Sequence, residues 1–240
     1  MTEEPEPVKA RLPIALVVAT GHEAQIVRRA LRAAKVIDRI NNKFEVVQVG
    51  VGCRDMDSRH IVDAYTAIVS TGFAGALEPT IKSGSMVFPK VVKKTGNTVY
   101  DVDLTLQKMI ATNKHTAIAE GALFHTDEIL ATTEEKHRAH EDNQCIACDM
   151  ESASLAAVAA EGGRPFACLR IVLDPANIRI PDLIMNLAQS PGEPGAADFL
   201  MSQLKHPSQL PATIVFLWHT FKASRALSRS VTQLSQGCYE

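Results

Sequence analysis

Short apolar runs alternate with stretches of helical period along most of the chain. PIALVVA (13–19) is β-branched and apolar, and TGHE breaks it. EAQIVRRALRAAKVIDRI (23–40) then places Ile26, Ala30, Ala33, Ala34 and Ile37 at helical spacing. FEVVQVGVG (44–52) reads as a strand entering a glycine turn, RDMDSRHIVDAY (54–65) as a helix, and TAIVSTGFAGAL (66–77) as a strand entering a second glycine turn. SMVFPKVV (85–92) and NTVYDVD (97–103) predict a strand pair around Thr95–Gly96. TAIAEGALFH (116–125), QCIACD (144–149) and FACLRIV (166–172) are further strands. A helix is expected over 134–142, an alanine-rich one follows Glu151, and from Pro181 the pattern is helical only.

This alternation predicts an α/β fold: a mixed, mostly parallel central sheet flanked by helices. Ligands of such sheets sit at the carboxyl ends of strands. The unusual residues fall there repeatedly: Gly21–Glu23, Gly50–Gly52, Gly72–Gly75, Asp127, Asp149–Glu151 and Asp174. The expected organisation is a disordered tail over 1–10, then one domain over 11–240 that ends in a helical extension from about 196 to 240.

Composition narrows the class. The chain has 240 residues, enough for one large core. A net charge of −2 gives no overall basicity for nucleic acid. The ends differ: Glu3, Glu4 and Glu6 stand against Lys9, while Lys205, Lys222, Arg225 and Arg229 stand against Glu240. MTEEPEP has no positive start and no apolar core, so no signal peptide is expected there. No apolar run approaches the ~20 residues of a spanning helix. The five cysteines follow no small-secreted pattern, which predicts reduced thiols in the cytoplasm.

Three stretches, in order, carry a resemblance: STGFAGALEPTIKSG (70–84), CDMESASLAAVA (148–159) and FACLRIVLDPA (166–176). With VVATGHEAQIV (17–27), they resemble the purine nucleoside phosphorylase and nucleosidase superfamily over residues 13–176. The SxGxAGxLxPxxxxG form of the first stretch, with DPANIRIP (174–181) and the segment 206–231, is similar to the hopanoid-associated phosphorylases, which are thought to remove adenine from adenosylhopane.

The resemblance implies cleavage of an N-glycosidic bond to a purine. Such a step builds positive charge on the sugar and negative charge on the base. By resemblance, Asp174 protonates the purine at N7, Glu151 accepts the ribose hydroxyls with Met150 packed on the sugar, and Glu23 activates the attacking water. Gly72, Phe73, Ala74, Asp127 and Ile129 complete the expected nucleoside site. No metal and no cofactor is implied. Phosphate is a candidate co-substrate, and Gly50, Gly52, Arg54 and Thr71, with Arg28 and Arg29 behind them, are its candidate ligands. Each acid also has a bland reading. Asp149, Glu151 and Glu23 suit first helical turns, and Asp174 before Pro175 suits a turn. Their convergence on strand ends favours the functional reading.

The sequence also departs from its relatives. Val69–Ser70 stands where one phosphorylase branch carries an arginine, Ile129 where methylthioadenosine nucleosidases carry an aromatic residue, and Leu173 where they carry serine. The methylthioadenosine/adenosylhomocysteine-type activity and a silent nucleoside-binding protein are the alternative functions. Cys145 and Cys148 have redox spacing but read as packed thiols, and His137, His140 and Glu141 read as a solvated face. The segment 209–234 reads either as a core-covering or subunit-interface helix or as a basic amphipathic helix meeting a membrane or a lipid-bearing nucleoside. The family implies a homo-oligomer, with a residue such as His60 or Phe124 acting across the interface.

Overall fold

The computed structural model describes residues 13–34, 44–110, 117–182, 184–185 and 210–237. The expected tail at 1–10, the helix beyond residue 34 and the start of the C-terminal extension lie outside the described residues. Among the described residues eight strands form one sheet: β1 (Ile14–Val18), β2 (Phe44–Gln48), β3 (Ala67–Ala76), β4 (Met86–Lys94), β5 (Thr98–Asp101), β6 (Ile118–His125), β7 (Ala147–Asp149) and β8 (Phe166–Asp174). The described helices are α1 (Gly21–Ala33), α2 (Ser58–Ala64), α3 (Leu104–Ile110), α4 (Thr133–Asn143), α5 (Ser152–Glu161) and α6 (Leu210–Gly237).

Local chemistry sets the helix starts. Thr20 and Thr132 each form a capping box, with Glu23 and Glu135 three residues on. Asp57 accepts the His60 N–H at 3.0 Å and starts α2. The helix expected from residue 54 is therefore shorter, because a 3₁₀ turn over Val51–Cys53 precedes it. Helix α3 is not predicted by the pattern. Asp103 caps it by accepting the Thr105 and Leu106 N–H groups at 2.9 and 2.8 Å, and Leu106, Gln107 and Ile110 are its buried residues.

A second correction concerns β3, which does not turn at Gly72 but runs on as a strand to Ala76. The sheet is mixed and mostly parallel, as expected. Strands β2, β1, β3 and β8 are mutually parallel, and β4, β6 and β7 are parallel to one another but antiparallel to β3 and β8. The pairings β3–β8–β4–β6–β7–β3 close on themselves, so the sheet curls into a barrel-like ring. The expected single carboxyl edge is replaced by a meeting of two strand sets around Gly72–Gly75 of β3. There Gly75 pairs with Cys148 on one side and with Asp174 on the other.

The core lies between the sheet and its helices. β8 is buried along nearly its whole length, which accounts for its unbroken apolar run. Helix α6 covers β8, α1 and α3 with Ala223, Leu227 and Val231.

Candidate active site

A cavity of about 230 Å³ opens where the two strand sets meet. Of the described residues that line it, Glu23, Glu128, Asp149, Glu151 and Asp174 are acids, and none is Lys, Arg or His. Phe73, Ile129, Leu130, Met150, Leu173 and Ile180 supply apolar walls.

Glu23 is buried, not solvated. Its Oε2 accepts from the N–H groups of Ala19 and Thr20 and from the Thr20 hydroxyl, at 3.1, 2.9 and 3.0 Å. Among the described residues its Oε1 accepts only the Phe73 N–H, at 2.8 Å. One lone pair of Oε1 is therefore left for a molecule in the cavity. The capping-box role and the cavity role coexist in one side chain. Gly72 makes this possible. Its φ is +144°, and a Cβ there would strike the Glu23 carboxyl and lie 3.0 Å from Arg170 Nη1.

Glu151 stands at the N-cap of α5 without capping it. Its Oε1 accepts the Gly52 N–H at 3.0 Å, and its Oε2 accepts from Arg170 Nη2 at 3.1 Å. Arg170, itself buried, also meets Asp149 through Nε at 2.7 Å, Ser70 Oγ at 2.6 Å and the Phe73 carbonyl at 3.2 Å. Burial pushes the Glu151 carboxyl up to about 7. Arg170 opposes that rise, but it is shared with Asp149, whose charge adds to it. Asp149 does start the helix, accepting the Ser152 N–H at 3.2 Å and the Ser152 hydroxyl.

Asp174 ends β8 at a bulge, with its carboxyl beside Gly75, where a Cβ would lie 3.2 Å from Oδ2. Lys136 of α4 reaches it at 2.6 Å and also donates to the carbonyls of Pro175 and Ile178, at 3.1 and 2.7 Å. Burial raises the Asp174 carboxyl above the ordinary range, and Lys136 offsets part of the rise. A raised carboxyl binds its proton more firmly than an ordinary aspartate, and the adjacent ammonium stabilises the anion left after proton transfer.

The structure thus brings Glu23, Phe73, Ala74, Ile129, Met150, Glu151 and Asp174 to one cavity, with Gly72 behind Glu23. It does not bring Asp127 there: that side chain is 73% exposed and lies 3.4 Å from Lys94. The phosphate candidates also part from the cavity. Thr71 is buried with its hydroxyl donating to Val69 O at 3.2 Å. Gly50 and Gly52 take φ of +73° and +67° in a tight turn, the Gly52 N–H is held by Glu151, and Arg54 is exposed. Phe124 is buried with Leu77, Ala139 and Cys148 inside its own chain, whereas His60 is exposed. Cys145 and Cys148 are free and buried. His137 pairs with Glu141 at 3.3 Å on the surface, while His140 turns to the Cys145 carbonyl at 2.7 Å.

Lys136 and Arg170 are absent from the sequence-based site. Lys136 lies in EEKHRAHED, read as a solvated face, yet its side chain is 0% exposed. Its spacing of three from Ala139, the other buried residue of α4, is the signal that marks the inward stripe.

These features, a ring-closed mixed sheet with buried acids at its seam, agree with the sequence comparison. A profile of the phosphorylase superfamily matches residues 13–189, and the chain belongs to that superfamily. Among solved structures, the chain is similar in fold to a 5'-methylthioadenosine/S-adenosylhomocysteine nucleosidase from Neisseria meningitidis in complex with methylthio-immucillin-A (TM-score 0.65, 15% identity, covering 92% of this chain and 97% of that one). It is also similar to a Helicobacter pylori MTAN mutant with 5'-methylthioadenosine in the active site (TM-score 0.60, 17% identity, 69% and 87% covered). The futalosine hydrolase of Helicobacter pylori strain 26695 is a third (TM-score 0.60, 16% identity, 70% and 86% covered). No curated protein sequence matches the chain.

Proposed function

We propose that the protein hydrolyses the N-glycosidic bond of an adenosine-type nucleoside and releases adenine. The observation that carries this reading is the convergence of Glu23, Glu151 and Asp174 on one cavity. Asp174 gives its proton to purine N7, and Lys136 holds the resulting carboxylate. Glu151, as a carboxylate, accepts the ribose hydroxyls and favours the cationic sugar. Glu23 takes a proton from water through the free lone pair of Oε1 as the hydroxide adds to C1′. The bond from C1′ to the base breaks, and its electron pair leaves with the protonated adenine.

Water is preferred to phosphate because the described cavity lining holds acids and no cation, and because Arg170 is already engaged with Asp149, Glu151, Ser70 and the Phe73 carbonyl. No cofactor takes part. Adenosylhopane is the finer substrate assignment. It rests on the motif resemblance and on apolar walls at Phe73, Leu173 and Ile180. The second reading is a 5′-methylthioadenosine-type substrate, favoured by the fold of the Helicobacter pylori protein that holds this ligand. A homo-oligomer is proposed from the family, with exposed His60 as the candidate to reach a neighbouring site.

Incubation with adenosine, methylthioadenosine and a lipid-linked adenosine, followed by chromatography for free adenine, tests the reading. The expected result is adenine release at the same rate with and without phosphate. No release across the panel sinks the enzyme reading, and strict phosphate dependence sinks hydrolysis.

A further inference from the structure

The two faces of α6 differ. One packs on the core through Ala223, Leu227 and Val231. On the other, Ile214, Leu217, Trp218 and Phe221 follow at helical spacing and are all exposed, Trp218 by 56% and Phe221 by 57%. Arg225 and Arg229 continue that stripe into solvent. Where the stripe turns basic, a groove of about 500 Å³ opens between α6 and the turn before β4. Lys82, Lys222, Arg225 and Arg229 line it with the hydroxyls of Ser83 and Ser85, and none of its described lining residues is acidic. None of these four cations forms an ion pair with a described residue. Lys222 Nζ lies 4.6 Å from the Trp218 ring centroid, and the Arg225 guanidinium carbon lies 5.5 Å from that of Phe221, so charge and aromatic surface form one patch.

An apolar ridge beside a cationic groove is complementary to a partner with two zones, a hydrocarbon layer beneath a layer of negative charge. A second copy would cover the aromatic ridge but leave the groove cations unpaired, because none of the groove's described lining residues is acidic. A soluble polyanion would use the cations and leave the aromatic ridge in water. No described helix is long and apolar enough to cross a membrane. We propose that α6 docks the protein on an anionic phospholipid surface. The helix lies in the interfacial plane, with Ile214, Leu217, Trp218 and Phe221 at the boundary between headgroups and acyl chains. Lys82, Lys222, Arg225 and Arg229 meet lipid phosphates. Docking would also set the cavity close to the lipid. Ser224 Oγ of α6 is 3.3 Å from His22 Nε2, and the His22 ring is 6.4 Å from that of cavity-lining Phe73. The docking rests on α6 and the turn before β4 and is independent of whether the cavity cleaves a nucleoside.

Full-length protein mixed with vesicles of phosphatidylcholine, with or without phosphatidylglycerol, tests this by sedimentation. Trp218 is the sole tryptophan, so its emission reports entry into the interface. The expected result is co-sedimentation and a blue shift with the phosphatidylglycerol vesicles only, undisturbed by inorganic phosphate at matched ionic strength. The triple variant Lys222→Glu, Arg225→Glu, Arg229→Glu is expected to partition on the order of 100-fold more weakly. The triple variant Ile214→Ser, Leu217→Ser, Phe221→Ser should lose the blue shift, and both should keep the wild-type circular dichroism. Absence of binding to the anionic vesicles overturns the proposal, as do folded variants that bind like wild type. Displacement by phosphate alone would show a soluble-anion site instead. A dimer that the serine variant dissociates, with no vesicle binding, would assign the face to a second copy.

Discussion

Two buried cations flank the cavity, and they are balanced differently. At one side, Arg170 serves two carboxylates, Asp149 and Glu151. At the other, Lys136 serves one, Asp174, and spends its remaining donors on two backbone carbonyls. Burial raises both carboxyls, and the number of acids per cation differs. With two acids on one guanidinium, burial raises Glu151, Arg170 opposes the rise, and the Asp149 charge adds to it. With one acid on one ammonium, the pair is formally neutral, and burial alone lifts Asp174 against the pull of Lys136. Arg170 is a joint, tying β3, β8 and the start of α5 together. Lys136 is a counterion placed beside a single working oxygen.

Four measurements sharpen that contrast. Asp174→Asn removes the proton donor, and adenine release should fall by ~10²–10⁴-fold while circular dichroism stays native; wild-type turnover would refute the assignment. Arg170→Met strands two acids in the interior. It should lose about 3–5 kcal/mol in urea unfolding, against little loss if the guanidinium were only a surface tie. Lys136→Met should cost on the order of tenfold in kcat/KM. Its distinguishing mark is the pH profile. Lys136 lowers the Asp174 carboxyl, so its removal leaves the proton bound to higher pH, and the alkaline limb should move upward. A purely structural lysine would leave that limb in place. The smallest effect is at the other side. In the proposed reaction Glu151 accepts the sugar hydroxyls as a carboxylate, so kcat/KM should rise with pH through a midpoint near 7. Glu151→Gln should erase that limb from whatever activity remains.

The same contrast shows what was legible in the sequence. The acids were legible because each follows an apolar strand, and strand ends are readable from period alone. Their cationic partners were not. Arg170 sits in the middle of FACLRIVLD, where its neighbours are all buried, and pairing with Asp149 and Glu151 depends on a strand crossing that no local pattern states. Lys136 is hidden in a charged run whose other members face water. The sheet was legible as α/β with mixed strands, but its ring closure was not, because β7 is only three residues long and reverses direction against β3. Helix α3 escaped because a seven-residue helix carries two turns of period. The glycines of β3 read as a turn, since nothing local distinguishes a glycine needed for bending from one needed for closeness to a neighbouring carboxyl.

That last distinction has a consequence for assembly. The Phe73 N–H is held by Glu23, and Gly75 opposes both Cys148 and Asp174, so one strand sets the positions of Glu23, the entry to α5 and Asp174 together. A one-residue slip of β3 would turn its side chains to the opposite face. All three groups would then lose their places at once. The strand therefore works as a ruler with a single zero mark, and a misregistered molecule should be inactive altogether, not partly active. Titrating active sites with a tight inhibitor would count correctly folded molecules one by one.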